Sequence, residues 1–588
     1  MLKNVFRTVP VLALLVALVV TLVPTGFAVA NDASVTIVAT YQEDDLAVLD
    51  LASGSEISSL DPQVATDAVS ITPIENLFHG LTDYDPVTTN VVPEVATSWE
   101  VDESGTVWTF NLRDDVMWYR YDPASQSAEE LRTVTAGDFV YGIKRGCDPR
   151  LGSLYGAVIA SVLAGCDVVN QTPEADVSDD LIFGDTIAVS APDDTTLVIE
   201  LQFPAGYFLS MTPIWVLRAV HPETIEEFGA EWTAPGNIAT NGPFFAQEVT
   251  RGVRRVFVRN YDHNEDLDYG GNIDVINFTL IEDLGTTFAL YQDDQLDASN
   301  VPAAEVQNVL SNSDFAEQLV QVFDLVVFYF GFAHDKAPFD DVHVRRAFSA
   351  VLDRAAFVEQ VLQGRGVPMM HFTPPGMAGA VPINEVGVGF DPEYAMTELE
   401  EAGYANCEGL PNINIITYQG AGNWAEFWAA SAEEHLGCSP DIFTVEEIEF
   451  SVLLEITSSD TPTQDRPNAW TLGWGPDYPD ANNWVFDAGL ACESQNDFLR
   501  PCTEIDDLID QAARESDPAV REQLYREIEE GFFGPEGEHS IAPLYMRSTF
   551  VLVKTWYDGA FETDGLFGGA HWDHRTLDMA AKLAAREG

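Results

Sequence analysis

Basic residues are scarce in this chain. Its 588 residues include 28 Lys and Arg against 95 Asp and Glu, a formal net charge of −67, and only five of the basic residues are lysines. A surface this negative repels phosphate backbones, which excludes nucleic acid as a partner. The acids are scattered, so they read as a solvated surface and not as an acidic tail. Such a composition fits a saline habitat, where about 1 M salt shortens the Debye length to roughly 3 Å, and equally an acidic proteome without high salt. Cysteines number six, with no C-x-x-C or comparable spacing, which argues against a zinc site. There is no P-loop Gly-Lys-Ser/Thr and no G-x-S-x-G. The ten histidines, His263, His334, His343 and His371 among them, stand in no H-E-x-x-H context. The expectation is therefore a protein without cofactor, metal or catalytic group. No internal repeat, low-complexity tract or late membrane-length apolar run is present.

A hydrophobic content of 46% with 11% aromatics is enough to build cores, and the length implies several lobes. At the N-terminus, Lys3 and Arg7 precede an apolar run from Val9 to Val23, and Ala28-Val29-Ala30 offers a small-x-small site before Asn31. This reads as a cleaved signal peptide, 1–30, with an uncleaved anchor as the alternative. In an exported protein the cysteines are expected to pair locally, Cys147 with Cys166, Cys407 with Cys438 and Cys492 with Cys502, among 15 possible connectivities.

Along the chain, a short β-like run covers Ser34–Thr40, and the compact body is expected to begin near Glu56. A turn at Asp61-Pro62 leads into a helix carrying Ile71, Ile74, Leu77 and Phe78. Strand patterns fill Val91–Met117, followed by a helix over Thr135–Arg145 and strands at Thr196–Leu201 and 274–281. Leu325–Ala333 reads as a buried strand and Val342–Leu362 as one amphipathic helix. Ile413–Tyr418 reads as a strand, Glu504–Phe532 as a long helical stretch and Ser540–Val553 as the last strand.

The segment richest in chemistry is Gly473-Trp474-Gly475-Pro476-Asp477-Tyr478-Pro479-Asp480. Trp474, Tyr478 and nearby Trp484 can exclude water around Asp477, and a buried acid left unpaired costs several kcal/mol. An ammonium arriving from solution would offset that cost. The alternatives are that Asp477 caps a turn or pairs with an internal arginine. Asp477 and Asp480 together also permit a glycosidase reading, which needs two carboxylates about 5–10 Å apart.

Several segments, in order, resemble the dipeptide/oligopeptide-binding receptors of ABC importers (extracellular solute-binding family 5). They are Ser58-Ser59-Leu60-Asp61-Pro62-Gln63; Asn76-Leu77-Phe78-His79-Gly80-Leu81; Val92-Pro93-Glu94-Val95-Ala96-Thr97-Ser98-Trp99-Glu100; Thr135-Ala136-Gly137-Asp138-Phe139; Thr240-Asn241-Gly242-Pro243-Phe244; Ala337-Pro338-Phe339-Asp340-Asp341 through Ala347-Phe348; and the Trp474–Asp480 loop. The resemblance runs from about 56 to 555.

That resemblance implies an α/β, two-lobed periplasmic-binding-protein-like fold of the large type II kind with an extra inserted domain. Lobe 1 would comprise 31–80, 204–325 and 547–588 with the inserted domain at 81–203, and lobe 2 would span 326–546. It implies a non-enzymatic monomer that takes an oligopeptide and passes it to a membrane-embedded ABC permease. An oligosaccharide or metal-complex receptor is the alternative within the family, and a secreted glycoside hydrolase outside it. Asp477 matches the acid that pairs with a ligand amino group, with Trp474 and Tyr478 beside it. Thr66, Asp67 and Ala68 match a segment that offers main-chain hydrogen bonds, although Asp67 reads equally as a turn acid. Tyr545 is either an aromatic near the cleft or plain core. Thr471 stands where some relatives carry a basic residue, so nothing at that position captures a ligand carboxylate.

Overall fold

The computed structural model describes residues 46–587; the apolar N-terminal run and the Ser34–Thr40 pattern lie outside them. Six sheets organise the described chain. One four-stranded sheet has the order Val48–Ser53, Val275–Leu280, Arg254–Arg259, Phe244–Thr250, with the first pair parallel. The body thus begins earlier than Glu56. Strand Val48–Ser53 is held by partners more than two hundred residues away, including Lys582, whose ammonium reaches the Val48 carbonyl, Asp50 and Asp297.

A separate antiparallel sheet joins Ala96–Val101, Val107–Leu112, Thr196–Glu200 and Val189–Asp193. The alternation along Val107–Leu112 holds, with Phe110 and Leu112 buried and Asn111 exposed between them. The adjacent helix Ala136–Gly146 opens with a capping box between Thr135 and Asp138.

The largest sheet bridges the molecule. Its order is Ala298–Asn300, Ile541–Val553, Leu319–Phe332, Ala469–Trp474, Ile413–Tyr418, Phe443–Ile448, with Gly366–Pro368 also paired to Ile541–Val553. Strand Leu319–Phe332 extends further back than the apolar run at Leu325 predicts. Its pairing with Ile541–Val553 is interrupted between Phe323 and Val327, where Leu325 takes a positive φ of 57°. Two cores lie on either side of this break, and a third spans it, with Tyr84 and Phe567 beside Val327 and Trp484. One cluster draws on residues up to Ile276 and from Val553 onward, joined from the middle of the chain by only Tyr478 and Ala513. A second, around Phe330, Phe348 and Trp428, uses only residues between 330 and 545.

Two helical expectations are corrected. Val342–Leu362 is two helices, Val342–Ala350 and Arg354–Gln360. Asp353 accepts from the Ala356 amide, and the buried Arg354 guanidinium donates to the Ser349, Leu352 and Pro543 carbonyls, which holds the break in place. Likewise Glu504–Phe532 divides into Glu504–Arg514 and Pro518–Phe533, since Pro518 has no amide proton to continue the first helix and Asp517 caps the second. Cys147–Cys166, Cys407–Cys438 and Cys492–Cys502 are disulfide-bonded, the sequence-local pairing. No described helix is long and apolar enough to cross a membrane.

Candidate functional site

Strands Ala469–Trp474 and Phe443–Ile448 both run parallel to Ile413–Tyr418, so the carboxyl ends of all three lie on one side of the sheet. Crevices at such ends are where open α/β sheets bind ligands. The Gly473–Asp480 loop leaves the sheet there. A Cβ at Gly473 would stand 2.7 Å from the Phe328 ring, so the strand reaches this position only because the residue has no side chain.

Asn483 organises the loop. Its fully buried amide oxygen accepts from the Trp474 indole at 2.9 Å and from the Asp477 amide at 3.2 Å. Its nitrogen donates to Asp477 Oδ2 and to Asp487 Oδ2, each at 3.0 Å. The other Asp477 oxygen accepts from the Tyr155 hydroxyl at 2.7 Å, and that tyrosine lies in the segment 81–203. Tyr207, from the same side, stacks on Tyr478 with ring centroids 5.7 Å apart, and the Gly206 amide donates to the Ala513 carbonyl at 2.8 Å. The loop therefore faces the other half of the molecule across a closed seam.

Asp477 forms no ion pair with any described residue, and burial raises its pKa while the hydrogen bonds from Asn483 and Tyr155 oppose the rise. The internal-arginine alternative belongs to its neighbour. Asp480 is held by both Arg521 Nη atoms, at 2.7 and 2.9 Å, inside the core. Close by, the Asp487 carboxyl is pushed up to about 7 by burial, with the Tyr478 hydroxyl donating to it at 2.6 Å.

The remaining sequence-derived residues fall in three places. Trp474 is half-buried and Tyr478 buried in the loop itself, whereas Trp484 lies entirely in the core behind it. Thr66, Asp67 and Ala68 start the helix Ala68–Leu77 in the opposite wall; Thr66 and Ala68 are exposed. Asp67 is the N-cap, accepting from the Ser70 amide at 2.9 Å and the Ser58 hydroxyl at 2.5 Å. This segment adjoins the seam, because the Ala65 carbonyl accepts from the Trp215 indole and that ring meets Tyr155 edge-on at 4.6 Å. Tyr545 is buried in the core, stacked on Phe328 at 5.1 Å, one layer behind the loop.

Sequence reading missed Tyr155, Tyr207, Asn483 and Asp487. The Asn482-Asn483 pair beside Trp484 was the one local hint, since a buried amide can bridge several polar groups. Tyr155 and Tyr207 come from more than 270 positions away and leave no signal near the loop.

Two cores joined through paired strands, with a loop carrying a cation-free acid at the seam, define a two-lobed α/β binding protein. The chain belongs to the bacterial extracellular solute-binding proteins, family 5, whose middle region matches residues 90–492. It is 27% identical over 532 residues to the periplasmic oligopeptide-binding protein OppA of Escherichia coli K12, covering 87% of this chain and 90% of that protein. Among solved structures it is similar to the unliganded open form of the murein tripeptide binding protein MppA, with a TM-score of 0.72, 24% identity and coverage of 91% and 98%. It is also similar to Haemophilus influenzae OppA in complex with RPPGFSPFR, with a TM-score of 0.67, 21% identity and coverage of 91% and 100%.

Proposed function

We propose that this chain is an exported receptor that takes an oligopeptide between its two lobes and delivers it, chemically unchanged, to an ABC permease. One observation carries the reading: a half-buried carboxylate at the lobe seam that accepts hydrogen bonds but forms no ion pair with a described residue. Withdrawing an ionised acid from water without a counter-charge is costly, and a ligand ammonium supplies that charge. Asp477 retains acceptor capacity beyond the Tyr155 and Asn483 bonds, since an ionised carboxylate has about four lone-pair sites. The names of the relatives, both oligopeptide- and murein-tripeptide-binding, favour a peptide as the ligand.

Closure is assigned to the interrupted strand pair. The loss of register between Leu319–Phe332 and Ile541–Val553 supports lobe boundaries at 325/326 and 546/547, and a small backbone change there would reorient one lobe against the other. The exposed ends of Thr66 and Ala68 would offer backbone groups to the peptide main chain from the opposite wall. Export agrees with three disulfides, which persist in oxidising compartments.

The test is to denature protein purified from its native host and identify what is released by mass spectrometry. Peptides with free amino termini are expected. Glycans in stoichiometric amount, or a ligand consumed on incubation, would contradict the proposal.

A further inference from the structure

Away from the seam, the loop between strands Arg254–Arg259 and Val275–Leu280 folds against the turn Trp572–His574 near the C-terminus. The two are tied by backbone: the Gly271 amide donates to the Asp573 carbonyl at 2.5 Å and the Asn272 amide to the Arg575 carbonyl at 3.1 Å. A Cβ at Gly271 would collide with both carbonyls. Inside this junction the potential ligand atoms of His263, Asp268 and Asp573 all lie within 4.8 Å of one another.

The histidine is already oriented. His263 Nδ1 lies 2.6 Å from the Asn260 carbonyl, so it must carry the proton and donate. That leaves Nε2 as the ring nitrogen on the side of the two carboxylates. That atom is buried and makes no hydrogen bond to a described residue, although Asp268 Oδ2 stands 3.3 Å away as an ion-pair contact. His263 is 8% exposed and Asp573 2%. The carboxylates are held too: Asp268 accepts from the Gly270 amide at 2.7 Å and from Arg259, and Asp573 from the Tyr269 amide at 3.4 Å.

A second triad in the same lobe provides the contrast. Glu75, Asp83 and His571 are equally close, but both His571 nitrogens face carboxylates, Asp564 at 2.6 Å and Asp83 at 3.0 Å. Both nitrogens of that ring are engaged at hydrogen-bond distance, whereas His263 Nε2 has only the longer 3.3 Å approach of Asp268.

We propose that His263 Nε2, Asp268 and Asp573 form a structural site for a divalent cation of the zinc class, clamping the 260–272 loop to the C-terminal segment. A Nδ1–H donating to a backbone carbonyl is the arrangement that fixes a metal-binding imidazole, and one nitrogen with two carboxylate oxygens suits zinc better than calcium. Ligand atoms about 2.0–2.1 Å from a tetrahedral zinc are roughly 3.3 Å apart, so small side-chain rotations complete the set. His79, with its ring centroid 6.4 Å from that of His263, is too distant to join without moving, and water takes the fourth position. The competing arrangement is a protonated Nε2 paired directly with Asp268.

Tag-free mature protein, freed of metal with a chelator, is titrated with zinc chloride by calorimetry, and bound metal is counted by mass spectrometry. One equivalent is expected, with affinity at least tenfold lower in D573N and in H263Q. X-ray absorption of the loaded wild-type protein is expected to show a nitrogen/oxygen shell with a single imidazole, a readout that stands even where a variant fails to fold. The proposal is overturned by substoichiometric binding in the wild-type protein, by unchanged affinity in D573N, or by a shell with more than one imidazole. It is overturned equally if nitrogen NMR shows both His263 nitrogens protonated at neutral pH with zinc present.

Discussion

The two ends of the Trp474–Asp480 loop set the same side chain in opposite surroundings. At the inner end, Asp480 is locked by both nitrogens of the Arg521 fork and approached by the Tyr525 hydroxyl at 3.4 Å, all within the second lobe. Three positions earlier, Asp477 is only half-buried and receives only a neutral amide and a neutral phenol, the phenol from the segment 81–203. A buried acid with a resident cation is part of the scaffold; under the proposed function, a half-buried acid without one among the described residues receives the cation of the ligand. Three residues of sequence separate the two roles, and the difference lies in where Arg521 is, not in the loop.

Breaking the inner end should have the largest effect. Arg521→Met leaves Asp480 charged and uncompensated in the core, and urea unfolding should register a loss of about 3–5 kcal/mol. Replacing Asp477 by Asn should cost far less, because it weakens two hydrogen bonds and strands no internal charge partner.

Asp487 sharpens the comparison through pH. Burial pushes its carboxyl up from the ordinary 3.8 to about 7 in the folded protein. Between these values the folded protein keeps a proton that the unfolded chain releases, so stability falls as pH rises through this window and is level above it. Urea unfolding from pH 4 to 8 should show this decline in the wild-type protein and a shallower one in Asp487→Asn. Equal slopes would mean that Asp487 is ionised and compensated in a way its surroundings do not suggest.

Tyr155→Phe should also act less on the fold than Arg521→Met, since it removes one hydrogen bond to a charged group, about 1.5–3 kcal/mol at most. Its effect on affinity distinguishes two arrangements. A ligand that displaces the phenol should bind the variant more tightly, and a ligand that shares Asp477 with it more weakly.

Much of the lobe architecture was legible because it rests on local signals. The alternation at Val107–Leu112, the apolar density around Leu325–Phe332 and the Thr135–Asp138 cap each carry their structural consequence within a few residues. The breaks at Asp353 and Pro518 were legible in principle, as cap and proline signals overridden by a continuous apolar pattern. Asp477 could be singled out because glycine and aromatics surround it. Its actual partners could not: Tyr155 is 322 positions away, and Asp480 looks no different from Asp477 until Arg521 is placed beside it. Asp67 shows the same limit in reverse, because its capping bonds to Ser58 and Ser70 are a complete local explanation for an acid that the family resemblance assigns to the ligand. The first strand, Val48–Ser53, went unread because its stabilising contacts, with Val275–Leu280 and Lys582, are remote.

The most direct measurement is a four-way calorimetric titration: one peptide with a free amino terminus and its N-acetylated form, each against the wild-type protein and Asp477→Asn. The free amine should outbind the acetylated peptide by about 2–5 kcal/mol in the wild-type protein, and that advantage should vanish in the variant. An advantage that survives the substitution would place the ligand's charge elsewhere and remove Asp477 from its assigned role.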